Sequence, residues 1–151
     1  MKQMSSRDFD LASFLPYRLS VLARRVSADF ARLYGDRFGI TIAEWRVLAH
    51  LSQHDSVSVR EIHERADMDK PKISRAAARL EQAGLIEKRE GATDRRLVSL
   101  TLSDKGREMV AAIGPLAEEF ESEIDDLLGA DEAAAFRRDV ERMIEAMGEE
   151  R

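Results

Sequence analysis

Between Asp10 and Leu33 the apolar residues Leu11, Leu15, Leu19, Leu22, Val26, Phe30 and Leu33 recur at steps of three and four. That spacing lines one face of a 3.6-residue turn and predicts a long amphipathic helix. Pro16 falls inside the pattern, and because proline is tolerated only in a first turn the helix proper is expected to begin near it. Gly35 and Gly39 are expected to end it. Thr41-Ile42-Ala43-Glu44 reads as a capping box, opening a second helix with Trp45, Leu48 and Leu51 inward and a stop near His54-Asp55. Ser58-Val59-Arg60-Glu61 repeats the signature and predicts a short third helix that buries Val59, Ile62 and Ala66.

Asp69 reads as the N-cap of a fourth helix, with Pro71 in its first turn and Gly84 as its stop after Ala83. Ile73, Ala76, Ala77 and Leu80 form the inward side, which turns Lys72, Ser74, Arg75 and Arg79 outward. Leu85 to Arg89 and Leu97 to Leu102 are short strand-like runs around the polar turn Glu90-Gly91-Ala92-Thr93-Asp94, the pattern of a hairpin. Ser103 is placed to cap a fifth helix bearing Met109, Ile113, Leu116, Phe120, Ile124 and Leu127, which Gly114-Pro115 should bend. After Gly129, the residues Phe136, Val140, Met143 and Met147 mark a last helix. The predicted order is four helices, one hairpin and two helices, with no internal repeat.

Charge changes the picture. The net value of −5 argues against a nucleic-acid binder until its distribution is read. From Lys70 to Arg107 ten basic residues face five acidic ones, whereas from Glu108 onward fourteen acidic residues face four basic ones. A basic middle and an acidic tail imply two surfaces with different partners. The chain has no cysteine, which removes disulfides, thiol catalysis and thiol redox sensing. The polar start and the lack of any apolar run near 20 residues give the expectation of a cytoplasmic protein with no membrane partner. No GxGxxG, P-loop, HExxH or GxSxG pattern occurs, so an enzyme is not expected.

Two short helices, a tight turn and an outward polar second helix are what a helix-turn-helix needs, and Ser58 to Ala83 supply them. The hairpin beside them then acts as a wing, its Arg95 and Arg96 suited to the negative potential of a minor groove. The runs Lys70-Pro71-Lys72-Ile73-Ser74-Arg75, Leu80-Glu81-Gln82-Ala83-Gly84-Leu85-Ile86 and Asp94-Arg95-Arg96-Leu97-Val98-Ser99-Leu100-Thr101, followed by Asp104-Lys105-Gly106, come in one order and spacing. In these the chain resembles, over nearly its whole length, the MarR family of winged-helix regulators.

The resemblance implies a mainly α fold with a small β-hairpin wing, a winged helix-turn-helix with N- and C-terminal dimerisation helices. It implies one domain over 1–151, with dimerisation helices over about 10–35 and 104–147 and the DNA-binding module over about 41–102. The implied function is that of a sequence-specific transcriptional regulator, a repressor acting as a homodimer on double-stranded pseudo-palindromic operator DNA. In that family an Asp-x-Arg pattern in the wing sets the Arg in the minor groove, and Asp94 and Arg96 match it. The family's recognition helix carries over to Lys70, Lys72, Ser74, Arg75 and Arg79, with Arg75 suited to bidentate contact with guanine. The rival reading is a protein-interaction module whose winged helix has lost DNA affinity.

The resemblance also implies release from DNA by a small aromatic carboxylate or related metabolite. The candidates to bind it are Tyr17, Arg18 and Arg25 on the first helix and Trp45 with His50 on the second. Arg18 and Arg25 stand a heptad apart and serve equally to pair with the acidic tail, while Trp45 also reads as plain core. His50 and His54 are spaced i, i+4, a geometry that holds zinc when a third ligand joins, but none is evident. No metal or other cofactor is expected.

Overall fold

The computed structural model describes residues 8–66, 68–91 and 98–148. After one 3-10 turn at Leu11–Ser13, helix α1 runs over Leu15–Phe38, α2 over Ile42–Gln53, α3 over Val59–Arg65 and α4 over Lys70–Gln82. Strands β1 (Val57–Ser58), β2 (Ile86–Glu90) and β3 (Val98–Leu102) form one antiparallel sheet in the order β1-β3-β2, and helices α5 (Asp104–Leu128) and α6 (Ala130–Gly148) follow. The chain divides into two compact units, Met1–Val110 and Ala111–Arg151.

In the first unit local chemistry fixes the helix ends. Pro16 stands in the first turn of α1, as its missing N–H allows. Gly39, at φ 66°, supplies the left-handed residue that closes α1, whereas Gly35 lies within the helix and does not end it. Thr41 accepts from the Glu44 N–H, Ser58 from the Glu61 N–H and Asp69 from the Lys72 N–H, so each expected N-cap is made. Helix α4 packs on α2, α3 and β2. Leu48, Ile62, Ile73, Leu80 and Leu100 are fully buried there. Burial at this level contributes about 1.5–3 kcal/mol per large aliphatic side chain, which is what holds a short helix such as α3 in place.

The sheet has one strand more than the expected hairpin. Residues Val57 and Ser58 pair with Leu100 and Ser99, while β2 and β3 pair in the register Ile86 to Leu102 through Glu90 to Val98. The extra strand closes an open edge of β3, whose inward Leu100 and Leu102 are buried.

In the second unit Gly129, at φ 85°, separates the end of α5 from α6, and Arg137 on α6 reaches Glu121 at 2.6 Å and Asp125 at 2.7 Å on α5. Helix α5 continues through Pro115. Phe136, Val140, Met143 and Met147 remain exposed.

Candidate nucleic-acid interface

The helix-turn-helix is built by α3 and α4, with Ala66, Met68 and Asp69 placed between them. Ala66 closes α3 through its N–H to the Ile62 carbonyl, and Met68 is buried at 8% exposure, anchoring the turn. The carbonyl of Met68 accepts from His63 Nδ1 at 2.7 Å, and because a carbonyl only accepts, that nitrogen carries the proton. Asp69 Oδ1 then receives the Lys72 N–H at 2.8 Å, which starts α4.

Along α4 the two sides separate cleanly. Ile73, Ala76, Ala77 and Leu80 are at most 1% exposed, while Lys70, Lys72, Ser74, Arg75 and Arg79 are all exposed. Lys70, Lys72, Ser74 and Arg75 thus form a polar row at the N-terminal half of α4, the end whose dipole favours phosphate. Arg79 is different. Its Nε lies 3.6 Å from Oε1 of Glu44, a buried carboxylate that also accepts from the Thr41 hydroxyl at 3.1 Å, so Arg79 braces α4 against the start of α2. Asp94, Arg95 and Arg96 lie outside the described residues, beyond the last strand pair at Glu90 and Val98.

The far end of α4 is tied to the start of α5. Lys105 Nζ donates to the Ala83 carbonyl at 2.9 Å, and the Ser103 hydroxyl donates to the Gly84 carbonyl at 2.6 Å. That same hydroxyl accepts the Gly106 N–H at 3.1 Å, and the Ser103 N–H reaches the Leu85 carbonyl at 3.0 Å. A Cβ on Gly106 would stand 2.1 Å from the Leu85 oxygen, so this approach excludes any side chain. Ser103, Lys105 and Gly106 therefore lock the exit of α4 to α5, a role their sequence alone does not disclose.

The five residues expected around a ligand are not gathered into one site within the chain. Tyr17 and Arg18 open α1, exposed, while Trp45 stands half-buried beside Phe30 and Tyr34, with ring centroids 5.8 and 5.7 Å away. At 1.5 Å per residue, Tyr17 lies about 20 Å along the helix from Phe30. Arg25 is exposed, and His50 is half-buried. Desolvation, then the charges of Arg65 and His54, hold the His50 imidazole below its ordinary pKa. Burial pushes the Tyr34 phenol up to about 12, against a smaller opposing effect of Arg46. Among the described residues no group of three or more His, Cys, Asp or Glu side chains is placed to hold a metal, and no helix is long and apolar enough to cross a membrane.

A three-helix core with a three-stranded sheet and an outward basic helix defines a winged helix-turn-helix protein. The family model described as MarR family matches residues 38–97. The HTH-type transcriptional repressor MdtR of Bacillus subtilis (strain 168) is 34% identical over 103 residues, which take in 68% of this chain and 65% of that protein. The chain thus matches a little under two thirds of this relative's length. A MarR/EmrR family transcriptional regulator from Acinetobacter sp. ADP1 superposes with a TM-score of 0.81 at 22% identity, covering 94% of this chain and 100% of that one. BpsR of Bordetella bronchiseptica does so with a TM-score of 0.78 at 23% identity, over 89% and 96%. The chain belongs to the MarR family.

Proposed function

We propose that the protein is a sequence-specific DNA-binding regulator of transcription that acts as a homodimer, represses from a pseudo-palindromic operator and is released by a small aromatic acid or related metabolite. One observation carries this reading: α4 buries its whole apolar side and leaves Lys70, Lys72, Ser74 and Arg75 free to meet a major groove. Arg75 reads a base edge, Lys70, Lys72 and Ser74 fix the backbone register, and Asp94, Arg95 and Arg96 enter the adjoining minor groove. Support for repression comes from the relative MdtR, a transcriptional repressor, and support for release from BpsR, whose DNA binding is regulated by 6-hydroxynicotinic acid.

The homodimer rests on uncovered apolar surface. Leu11, Leu15, Leu19 and Leu22 of the N-terminal segment are 40–54% exposed, more than a stripe of this length leaves to water in a lone chain. A two-fold partner laid on that stripe would bring two copies of α4 to half-sites about one helical turn of DNA apart.

Selection of bound fragments from the source genome, followed by titration at several salt concentrations, tests the proposal. Enrichment of a pseudo-palindrome with affinity falling steeply as salt rises is the expected result. No DNA affinity at low salt would overturn it and leave the interaction-module reading. Arg96→Ala should weaken operator binding with unchanged circular dichroism; wild-type affinity in that variant removes the wing from the interface.

A further inference from the structure

Glu44 is the one buried charged residue among the described residues. A carboxylate out of water is costly unless it is both ion-paired and hydrogen-bonded, and Glu44 finds both kinds of partner in its own chain. The Thr41 hydroxyl donates to its Oε1 at 3.1 Å and accepts the Glu44 N–H at 3.2 Å, so the cap of α2 holds the carboxylate in place. The same Oε1 lies 3.6 Å from Arg79 Nε. Arg32, Arg60, Arg107 and Arg142 pair with carboxylates three or four residues along their own helices, and Arg137 pairs across α5 and α6. Among the described residues, Arg79 to Glu44 is thus the one ion pair that joins two helices of the first unit. Arg79 follows Lys72 by seven residues, about 10 Å along the same flank of α4. Lys70, Lys72 and Arg75 enter no ion pair among the described residues.

We propose that Glu44 sets how sharply the protein tells its operator from other DNA, by holding Arg79 off the phosphate backbone and fixing the pose of α4. The proposal rests on the DNA-binding reading and deepens it. Sequence-independent affinity grows with each cation that neutralises a phosphate, whatever the bases. Arg79 stands on the recognition helix with 58% of its side chain exposed, and unpaired it would add that kind of affinity on every duplex. Paired with a carboxylate only 10% exposed, it is neutralised by its own chain. Base contacts depend instead on geometry, and a bidentate contact from Arg75 survives only while α4 keeps its angle. The capped first turn of α2 carries the anchor that sets this angle, and it grips the C-terminal half of α4, away from the end that meets the bases. Apolar packing would hold two helices together equally well, whereas a charged pair also fixes their register. Glu44 is therefore a positioning residue, and Arg79 stands apart from the row that meets DNA.

Binding of the full chain to a genome-selected duplex and to a random duplex of equal length, each at several salt concentrations, tests this, with circular dichroism as the check on folding. Glu44→Gln keeps the side chain's shape and its hydrogen bond to Thr41 but loses the charge. It should bind random DNA more tightly and steepen the slope of log affinity against log salt there by about one. The ratio of selected to random affinity should fall at least about fivefold, the low end of what one base-edge contact contributes. Adding Arg79→Gln should return the random-DNA slope to the wild-type value with the ratio still low. Arg79→Gln alone, at an exposed side chain and so the safer variant for folding, should lower the ratio and leave the slope unchanged. An unchanged ratio in either single variant overturns the proposal. So does a slope that falls by about one in Arg79→Gln, which makes Arg79 a phosphate contact. A gain on random DNA that persists when Arg79→Gln joins Glu44→Gln overturns it too, because the gain then comes from the lost negative charge alone. A wild type that binds neither duplex at low salt removes the DNA-binding reading and the proposal together, whereas variants that discriminate like the wild type remove the proposal alone.

Discussion

Helices α4 and α1 carry the same kind of apolar stripe, and the fold treats them in opposite ways. On α4 the stripe Ile73, Ala76, Ala77 and Leu80 is sealed by α2, α3 and β2, whereas on α1 Leu15, Leu19 and Leu22 stay 54%, 40% and 44% exposed. Only near its end does α1 find cover, where Tyr34 is buried beside Phe30 and Trp45. Periodicity therefore announces a helix and an apolar face without saying what covers it. For α4 the answer is its own chain, and the opposite side is left outward, where DNA contact is proposed; for the N-terminal half of α1 the proposed answer is a second copy.

The largest effects should come from breaking the sealed stripe. Leu80→Ala leaves a cavity and should cost about 2–5 kcal/mol in chemical denaturation. A cost below about 0.5 kcal/mol would mean α4 is not packed as described. The paired change Leu19→Glu, Leu22→Glu should convert two associated chains into one in sedimentation velocity, because it puts charge on the exposed stripe. A wild type that already sediments as a single chain contradicts the homodimer. Gly106→Val, which forces a side chain against the Leu85 carbonyl, should cost about 1–3 kcal/mol and loosen the exit of α4. Wild-type stability there would show that the close approach is not kept in solution.

Smaller effects sharpen the contrast on the outward side. Arg75→Ala should weaken the preferred duplex by about 1–3 kcal/mol and relax base preference at one position, read by binding to a panel of single-base variants. Unchanged preference would make Arg75 a backbone contact only. At the small end, the His50 imidazole should titrate by NMR with its midpoint below the ordinary value near ~6.5. Its folded form favours the neutral ring, so the stability it contributes is present above that value and lost as pH falls through the lowered one. A midpoint at or above the ordinary value would place His50 in water.

Much of this was legible in the sequence because helix starts and stops are local events. Thr41, Ser58 and Asp69 cap residues three positions on, and Gly39 and Gly84 adopt positive φ at helix ends, all within one turn of chain. Gly35 misled because a helical and a terminating glycine look alike until φ is known. What stayed hidden depends on distant partners. Strand β1 is two residues long and exists only by pairing with Leu100 and Ser99 some forty residues away. The Arg79 to Glu44 ion pair and the Gly106 approach to Leu85 likewise join residues far apart along the chain. The basic row of α4 was readable because its spacing sets it opposite Ile73, Ala76, Ala77 and Leu80 on one helix.

The most direct test is the mass of the complex formed with a genome-selected duplex, measured by sedimentation as salt is raised. Two chains on each duplex, with affinity falling steeply with salt, is the predicted outcome. A single chain per duplex, or no complex at low salt, contradicts the account.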